Sequence, residues 1–220
     1  MLFFPIAFLI FILFILFLPI LFLLGYFHIV VIGFQNLGIS PNATLIILFL
    51  MLIGSLVNIP LTKKKLIFVR EPRFFGLFSV PKVETQYLTI NVGGALIPAL
   101  LSFYFLFFVK NQGFGLKPIF IAILLMTIVS KLFSKVIPKK GIVLSSFVPP
   151  LFSAFFAVIL APGFAASCAF ISGVLGTLIG ADILNLRRLK NYGGFLSIGG
   201  AGIFDGIFLV GIASALLSGV

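Results

Sequence analysis

The sequence predicts an all-α membrane protein with about seven transmembrane helices, and three observations carry this prediction. The 220 residues are 62% hydrophobic and 9% charged, whereas soluble domains are about 25% charged. Apolar stretches of about 20 residues, the length that crosses a bilayer as a helix, recur along the chain. The 15 lysine and arginine residues cluster at the ends of these stretches. Lipid is therefore the expected solvent, and the cell (cytoplasmic) membrane is the expected location of a multi-pass protein.

Seven apolar segments are long enough to cross a membrane. They are residues 3–30, 42–61, 87–109, 117–136, 142–160, 164–185 and 198–219. The first segment has neither a basic amino-terminal region nor a small-residue cleavage site, so it is expected to be an anchor and not a cleaved signal. Residues 1–220 are expected to form a single transmembrane domain.

The basic residues are distributed unequally between the connections, and this asymmetry predicts the orientation. Only Lys110 and Lys117 lie in the odd-numbered connections. The even-numbered connections contain or adjoin Lys63, Lys64, Lys65, Arg70, Arg73, Lys82, Lys131, Lys135, Lys139, Lys140, Arg187, Arg188 and Lys190. Because basic residues favour the cytoplasmic side, the N-terminus is expected in the cytoplasm and the C-terminus outside.

Segment 62–86 is the longest polar stretch and is expected to be a cytoplasmic loop or hairpin. It mixes β-branched and aromatic residues with Pro72, Gly76 and Pro81, a composition that favours a hairpin or an interfacial segment over a helix. Its basic residues are expected to meet anionic lipid headgroups. The net charge of +11 therefore indicates a lipid partner, and nucleic acid is not expected.

Two pairs of similar stretches predict an internal repeat. IGSLV at residues 53–57 resembles LGTLI at residues 175–179, and VGGALI at residues 92–97 resembles IGGAGI at residues 198–203. Segments one to three and five to seven would then be parallel repeats joined by the fourth segment. Parallel repeats of three plus three helices occur among transporters.

Two of the four acidic residues, Asp182 and Asp205, lie in apolar segments. An acid in hydrocarbon costs about 2.5–3.5 kcal/mol on insertion scales, so such a residue is a candidate for function. At 1.5 Å per residue, Asp182 lies about 7 Å and Asp205 about 11 Å from the cytoplasmic end of its segment. The two segments are consecutive and antiparallel, so the two carboxyls are expected in the same leaflet, where they can face each other.

Neutral polar residues and glycines are expected at the same level of the membrane. Asn58 and Asn91 lie at similar depths on segments two and three. Gly199, Gly200 and Gly202 either let helices approach closely or unwind the start of segment seven and expose backbone carbonyls. With the two acids, these residues predict a buried polar pocket that opens to the cytoplasm. The sequence has no Cys/His cluster with the spacing of a zinc site, so neither a metal nor a cofactor is expected.

Three functions fit such a pocket. Two facing aspartates share a proton, so that one activates water while the other protonates a carbonyl oxygen, and a membrane-spanning peptide is hydrolysed. Intramembrane acids also mark proton and cation paths, which fits an ion-coupled or small-solute transporter. The third function is that of a non-catalytic scaffold, in which Asp182 pairs with Arg187, Arg188 or Lys190 of the adjoining loop.

The chain resembles two known groups. In the placement of Asp182 and Asp205 on consecutive segments it is similar to the intramembrane aspartyl proteases, and this resemblance implies that both residues are catalytic. Gly202 stands three before the second aspartate as in that group, whereas Ala181 and Phe204 replace the tyrosine and glycine that directly precede the aspartates there. The stretches INVGGALIP, GADILNL and GGAGIFDGIFL more closely resemble an uncharacterised family of prokaryotic multi-pass membrane proteins, domain of unknown function 1614. That family implies no activity.

Overall fold

The computed structural model describes residues 3–73, 78–137, 141–189, 194–200, 207, 209–211, 213–214 and 216–217. It is mostly helical. The α-helices are α1 (Phe3–Asn36), α2 (Pro41–Gly54), α3 (Ile97–Asn111), α4 (Lys117–Phe133), α5 (Val148–Leu160), α6 (Ala165–Thr177) and α7 (Leu186–Leu189). The strands are β1 (Asn58–Pro60), β2 (Lys65–Arg73), β3 (Phe78–Asn91), β4 (Lys135–Ile137), β5 (Gly141–Val143) and β6 (Gly194–Ile198). Turns of π-helix at Val92–Leu96 and Leu178–Asp182, and of 3₁₀-helix at Pro162–Phe164 and Ile183–Asn185, extend α3 and α6.

Three helical stretches of the described residues are long and apolar enough to cross a membrane. They are Phe8–Gln35, Val92–Asn111 and Pro162–Arg188. The helices α2 and α5 are apolar but shorter. The three long stretches indicate association with a membrane, whereas the count of seven spans, the orientation and the internal repeat remain predictions from hydropathy, charge and sequence similarity.

The predicted second and third spans differ from the structure at their adjoining ends. The helix α2 ends at Gly54, and residues 58–60 form β1; the third segment starts as strand and becomes helical only after Asn91. The predicted all-α class therefore omits a β-sheet. Hydropathy cannot separate a short apolar strand from a helix end. Here the backbone groups of the two stretches pair with each other, with Asn58 opposite Asn91.

The sheet is built around β3. Both β1 and β2 pair with β3 in antiparallel orientation, and the β2–β3 pair covers most of the predicted loop or hairpin at 62–86. Strand β6 pairs with β3 in parallel orientation, with Ile198 opposite Ile90. Since Ile90 also pairs with Ile59, β3 lies between β1 and β6 at the end that joins the helices. Strands β4 and β5 form a separate antiparallel pair.

Helix α6 is the buried centre of the helical part. Nearly all of its residues are buried, and it packs against α3, α4 and α5. Small residues make this close approach possible. A Cβ atom added at Gly173 would lie 2.7 Å from the side chain of Val210, and one at Gly176 would lie 2.6 Å from that of Met126. Larger side chains at these positions would push the neighbouring helices away.

Helix α1 contacts the other helices through its C-terminal part. The ring of Phe34 packs edge-on against Phe105 and Phe170, with centroids 5.7 Å away in both cases. Most large side chains between Phe8 and Leu24 are exposed. In a membrane this apolar half of α1 would face lipid, which suits its uniformly apolar sequence.

Candidate functional site

Asp182 lies where the α6 segment departs from regular α-helical geometry. The π-helical turn Leu178–Asp182 follows Thr177, and the 3₁₀ turn Ile183–Asn185 comes next. Such π-helical turns within α-helices are frequent at functional sites. Asp182 is 1% exposed, so its carboxyl group is removed from the surface of the molecule.

One oxygen of this carboxyl has a partner and the other has none. The backbone N–H of Gly199 donates a hydrogen bond to Oδ2 of Asp182 over 2.6 Å. Oδ1 has no hydrogen-bond partner within the described part of the chain. A buried oxygen without a hydrogen-bond partner costs about 1–3 kcal/mol, so Oδ1 is expected to interact with a group outside the described residues. A proton, a cation, a water molecule or a substrate group at Oδ1 would supply the missing interaction.

Asn58 and Asn91 form the second part of the site. Nδ2 of Asn91 donates to Oδ1 of Asn58 over 3.3 Å and to the carbonyl oxygen of Ser55 over 2.7 Å. Oδ1 of Asn91 accepts from the N–H of Gly94 over 2.7 Å, which caps the π-helical turn before α3. The hydroxyl of Ser197 donates to Oδ1 of Asn58 over 2.6 Å. Asn91 therefore joins the end of α2 to the start of the α3 segment.

A contact between two glycine backbones connects the asparagines to Asp182. A Cβ atom at Gly94 would overlap the carbonyl oxygen of Gly199, and one at Gly199 would lie 2.6 Å from the carbonyl carbon of Gly94. Gly199 has φ 68°, a left-handed conformation that glycine adopts without steric cost. The N–H of Gly94 is held by Asn91 and that of Gly199 by Asp182, so the contact joins the two polar groups into one site.

Several of the predicted site residues therefore lie together. They are Asn58, Asn91, Asp182 and Gly199. Gly200 follows Gly199 directly in the chain, whereas Gly202 and Asp205 lie outside the described residues. The pairing of the two carboxyls consequently stays a prediction. Among the described residues, no group of three or more His, Cys, Asp or Glu side chains is arranged to hold a metal ion.

Ser197 is a member of the site that sequence reasoning missed. It lies between Leu196 and Ile198, in the short stretch Gly194–Ile198 at the edge of the last predicted apolar segment, which begins at residue 198. One polar residue in so short an apolar stretch does not predict a strand, and only the structure places Ser197 in the site.

The end of the α6 segment is held by α4. Nζ of Lys131 donates to the carbonyl oxygen of Leu184 over 2.8 Å and to Oδ1 of Asn185. Nδ2 of Asn185 in turn donates to Oγ of Ser134 over 2.8 Å. These bonds satisfy carbonyl and amide groups at the end of the helix that carries Asp182.

The predicted alternative partners of Asp182 lie elsewhere. Arg187 and Arg188 are exposed, and neither donates a hydrogen bond to the carboxyl among the bonds of the described residues. Lys190 lies outside the described residues. The described partner of Asp182 is therefore the uncharged backbone of Gly199.

We expect Asn91→Ala to destabilise the protein. Asn91 is 3% exposed, and its removal leaves the N–H of Gly94 and the carbonyl of Ser55 without their partner. Each unsatisfied buried group costs about 1–3 kcal/mol, so thermal unfolding in detergent should occur at a clearly lower temperature. Asn111→Ala, at the exposed end of α3, is the matched control and should change stability by less than about 0.5 kcal/mol. Equal melting temperatures for the two variants would contradict the structural role of Asn91.

Comparison with curated proteins and with solved structures finds no match. The family described as Protein of unknown function (DUF1614) matches residues 52–217. This range includes the sheet, α3 to α7 and every predicted site residue. The match confirms the resemblance that the stretches INVGGALIP, GADILNL and GGAGIFDGIFL indicated. The chain belongs to the uncharacterised DUF1614 family.

Proposed function

We propose that this protein is an intramembrane aspartyl-protease-like enzyme that hydrolyses peptide bonds in membrane-spanning segments, with Asp182 and Asp205 as its catalytic pair. The observation that carries the proposal is the Asp182 carboxyl. Its Oδ2 is held by Gly199, at the start of the apolar segment that contains Asp205, and its Oδ1 has no partner among the described residues. The proposal places the protein in the cell membrane with seven spans, a cytoplasmic N-terminus and basic loops against anionic lipid headgroups.

The proposed chemistry uses one carboxylate and one carboxylic acid. The carboxylate removes a proton from water as the water oxygen attacks the scissile carbonyl carbon, and the acid protonates the carbonyl oxygen. The tetrahedral intermediate then collapses: the C–N bond breaks, the leaving amine takes a proton from the acid form of the pair, and the carboxylate form takes the proton of one hydroxyl as the carbonyl re-forms. Oδ1 of Asp182 is the oxygen available for this proton transfer, since Oδ2 already accepts from Gly199.

Contacts on both sides of Asp205 in the chain support a shared site. Gly199 precedes it and donates to Asp182, while Val210 follows it and packs against Gly173 of α6. Gly199 lies beside Asp182 and Val210 lies beside Gly173, so these described residues on either side of Asp205 follow α6 from its C-terminal end towards its N-terminal end. This is the arrangement that the pairing of two carboxyls on consecutive helices requires.

The test is cleavage of a tagged single-span peptide by the purified protein reconstituted in liposomes. We expect Asp205→Asn to reduce the cleavage rate by about 10²–10⁴-fold, because an amide cannot exchange the proton that general acid–base catalysis needs. Glu84→Gln removes an acid of strand β3 outside the site and should cleave at the wild-type rate. Wild-type activity in Asp205→Asn would refute the catalytic pair.

Ion-coupled or small-solute transport is the second candidate, and the buried Oδ1 of Asp182, which has no partner among the described residues, favours it. π-helical turns begin the α3 segment at Val92–Leu96 and continue α6 at Leu178–Asp182, beside the Gly94–Gly199 contact. Acids within membrane segments commonly mark proton and cation paths, and single π-helical turns are frequent at functional sites. Proton or sodium flux into liposomes that depends on Asp182, without cleavage of any single-span peptide, would favour transport over hydrolysis.

A further inference from the structure

A second site is indicated at the opposite end of α6 from Asp182. A cavity of about 400 Å³ lies there. Its lining residues are Leu37, Phe108, Val109, Gln112, Phe114, Leu217 and the run from Pro162 to Ser167. At 1.5 Å per residue, the first turn of α6 is about 25 Å from Asp182 along the helix. The cavity is therefore separate from the site of the proposed function, and the inference does not depend on that function.

The first turn of α6 supplies hydrogen-bond donors to this cavity. The helix begins at Ala165, and no side chain caps its N-terminus. The first N–H groups of a helix have no acceptor within the helix, and the helix dipole makes this end attractive to anions. Phe164 occupies the capping position, and its side chain has no atom that can accept a hydrogen bond from these N–H groups. Donors in the first turn are thus available to an anionic group in the cavity.

Ser167 gives a second and independent indication of a ligand. It is 2% exposed and lines the cavity, and its hydroxyl makes no hydrogen bond in the described part of the chain. Ser172, in the same helix, instead donates to the carbonyl oxygen of Cys168 over 2.7 Å. A buried serine in a helix commonly makes such a bond to the preceding turn. The hydroxyl of Ser167 is therefore available to form a hydrogen bond with a ligand in the cavity.

The remaining walls and the local charge indicate the kind of ligand. The rings of Phe108, Phe114 and Phe164 make a large part of the lining apolar. None of the lining residues is acidic, and Lys110 lies between Val109 and Gln112 of the lining in the sequence of α3. An anionic headgroup with an apolar tail matches both the donors and the rings.

We propose that the N-terminus of α6 and the hydroxyl of Ser167 bind the anionic headgroup of an amphiphile, whose apolar tail packs against Phe108, Phe114 and Phe164. A carboxylate or a phosphate supplies the same acceptor oxygens, so the headgroup is defined by its charge. Pro162 and Gly163, both exposed, leave the entrance to the cavity open from the surface.

The test is binding of dodecanoate to the full-length protein in nanodiscs of neutral lipid, measured by displacement of a fluorescent fatty acid. We expect dodecanoate to bind about tenfold or more tightly than dodecanol, because a hydrogen bond to a charged group is stronger than one to a neutral group. Acetate and inorganic phosphate should displace the probe only at far higher concentrations. If dodecanol bound as tightly as dodecanoate, the proposal that the site prefers an anion would be refuted. If inorganic phosphate bound as tightly as dodecanoate, the proposal that the ligand has an apolar tail would be refuted.

Two variants locate the ligand. Ser167→Ala should weaken dodecanoate binding about fivefold, as expected for loss of one hydrogen bond, while the matched Ser172→Ala should bind as the wild type does. Phe164→Asp places a carboxylate at the capping position, where it competes for the same N–H groups, and should abolish binding. Unchanged dodecanoate affinity in both Ser167→Ala and Phe164→Asp would refute the site.

Discussion

Asp182→Asn is expected to reduce peptide cleavage by about 10²–10⁴-fold, the contribution typical of a general acid or base. Asparagine has nearly the shape of aspartate, and its carbonyl oxygen can still accept from the N–H of Gly199. It cannot exchange the proton that the proposed reaction moves. A neutral amide also costs less to bury than a carboxylate, so the variant should melt at or above the temperature of the wild-type protein.

The measurement is the cleavage rate of the single-span peptide together with thermal unfolding of the same preparation. Asp182→Ala serves as the comparison, since it removes both the reactive group and the acceptor for Gly199. It should lose activity and also melt earlier, as a buried N–H left without a partner costs about 1–3 kcal/mol. Full activity in Asp182→Asn would remove Asp182 from the mechanism. Ion flux that disappears in Asp182→Asn, in a protein that never cleaves peptides, would support the transporter.

Gly94→Ala is expected to lower both the stability of the protein and the activity of the molecules that still fold. The added Cβ would overlap the carbonyl oxygen of Gly199 and lie 3.2 Å from Oδ1 of Asn91. Inserting a methyl group into a tightly packed region costs about 1–3 kcal/mol, and more where the neighbour is backbone that cannot rotate away. Because Gly199 also donates to Asp182, displacing it should lower activity in the molecules that still fold.

Gly115→Ala is the matched control for this prediction. A Cβ atom at Gly115 would meet nothing within 4 Å, and its backbone does not have a positive φ. Its melting temperature should equal that of the wild type or rise slightly, because alanine reduces the freedom of the unfolded chain. Thermal unfolding in detergent compares the two variants directly. If Gly94→Ala and Gly115→Ala had the same melting temperature, the Gly94–Gly199 contact would be looser than the structure indicates.

Much of the site was predictable because its signals are local. A carboxyl within an apolar segment is visible at Asp182, and Asn58 and Asn91 lie at ends of apolar segments. Helix rise predicted a common depth for these residues, but Asn58 and Asn91 are strand residues, and strand pairing is what places them opposite each other. The structure brings Asn58, Asn91 and Asp182 together through Gly94 and Gly199.

The strands were harder to predict because an apolar residue suits a helix and a strand equally well when lipid or protein surrounds it. Residues 58–60 and 194–198 are short, and periodicity cannot assign stretches of this length. No local pattern therefore predicts Ser197 as a site residue, although its hydroxyl donates to Asn58. The free hydroxyl of Ser167 was equally hidden, since only the structure shows which serines bond to their own helix.

Composition and segment length alone predicted a mostly helical chain with apolar segments long enough to cross a membrane and an acid within one of them, because transfer free energies depend on residue type and local segment length. The tertiary structure was needed to show that Asn58 lies opposite Asn91, that Gly94 touches Gly199, and that one oxygen of Asp182 is held while the other has no described partner. Strand register and backbone contact join residues far apart in the chain. They depend on which distant surfaces fit each other, and no local pattern contains that information.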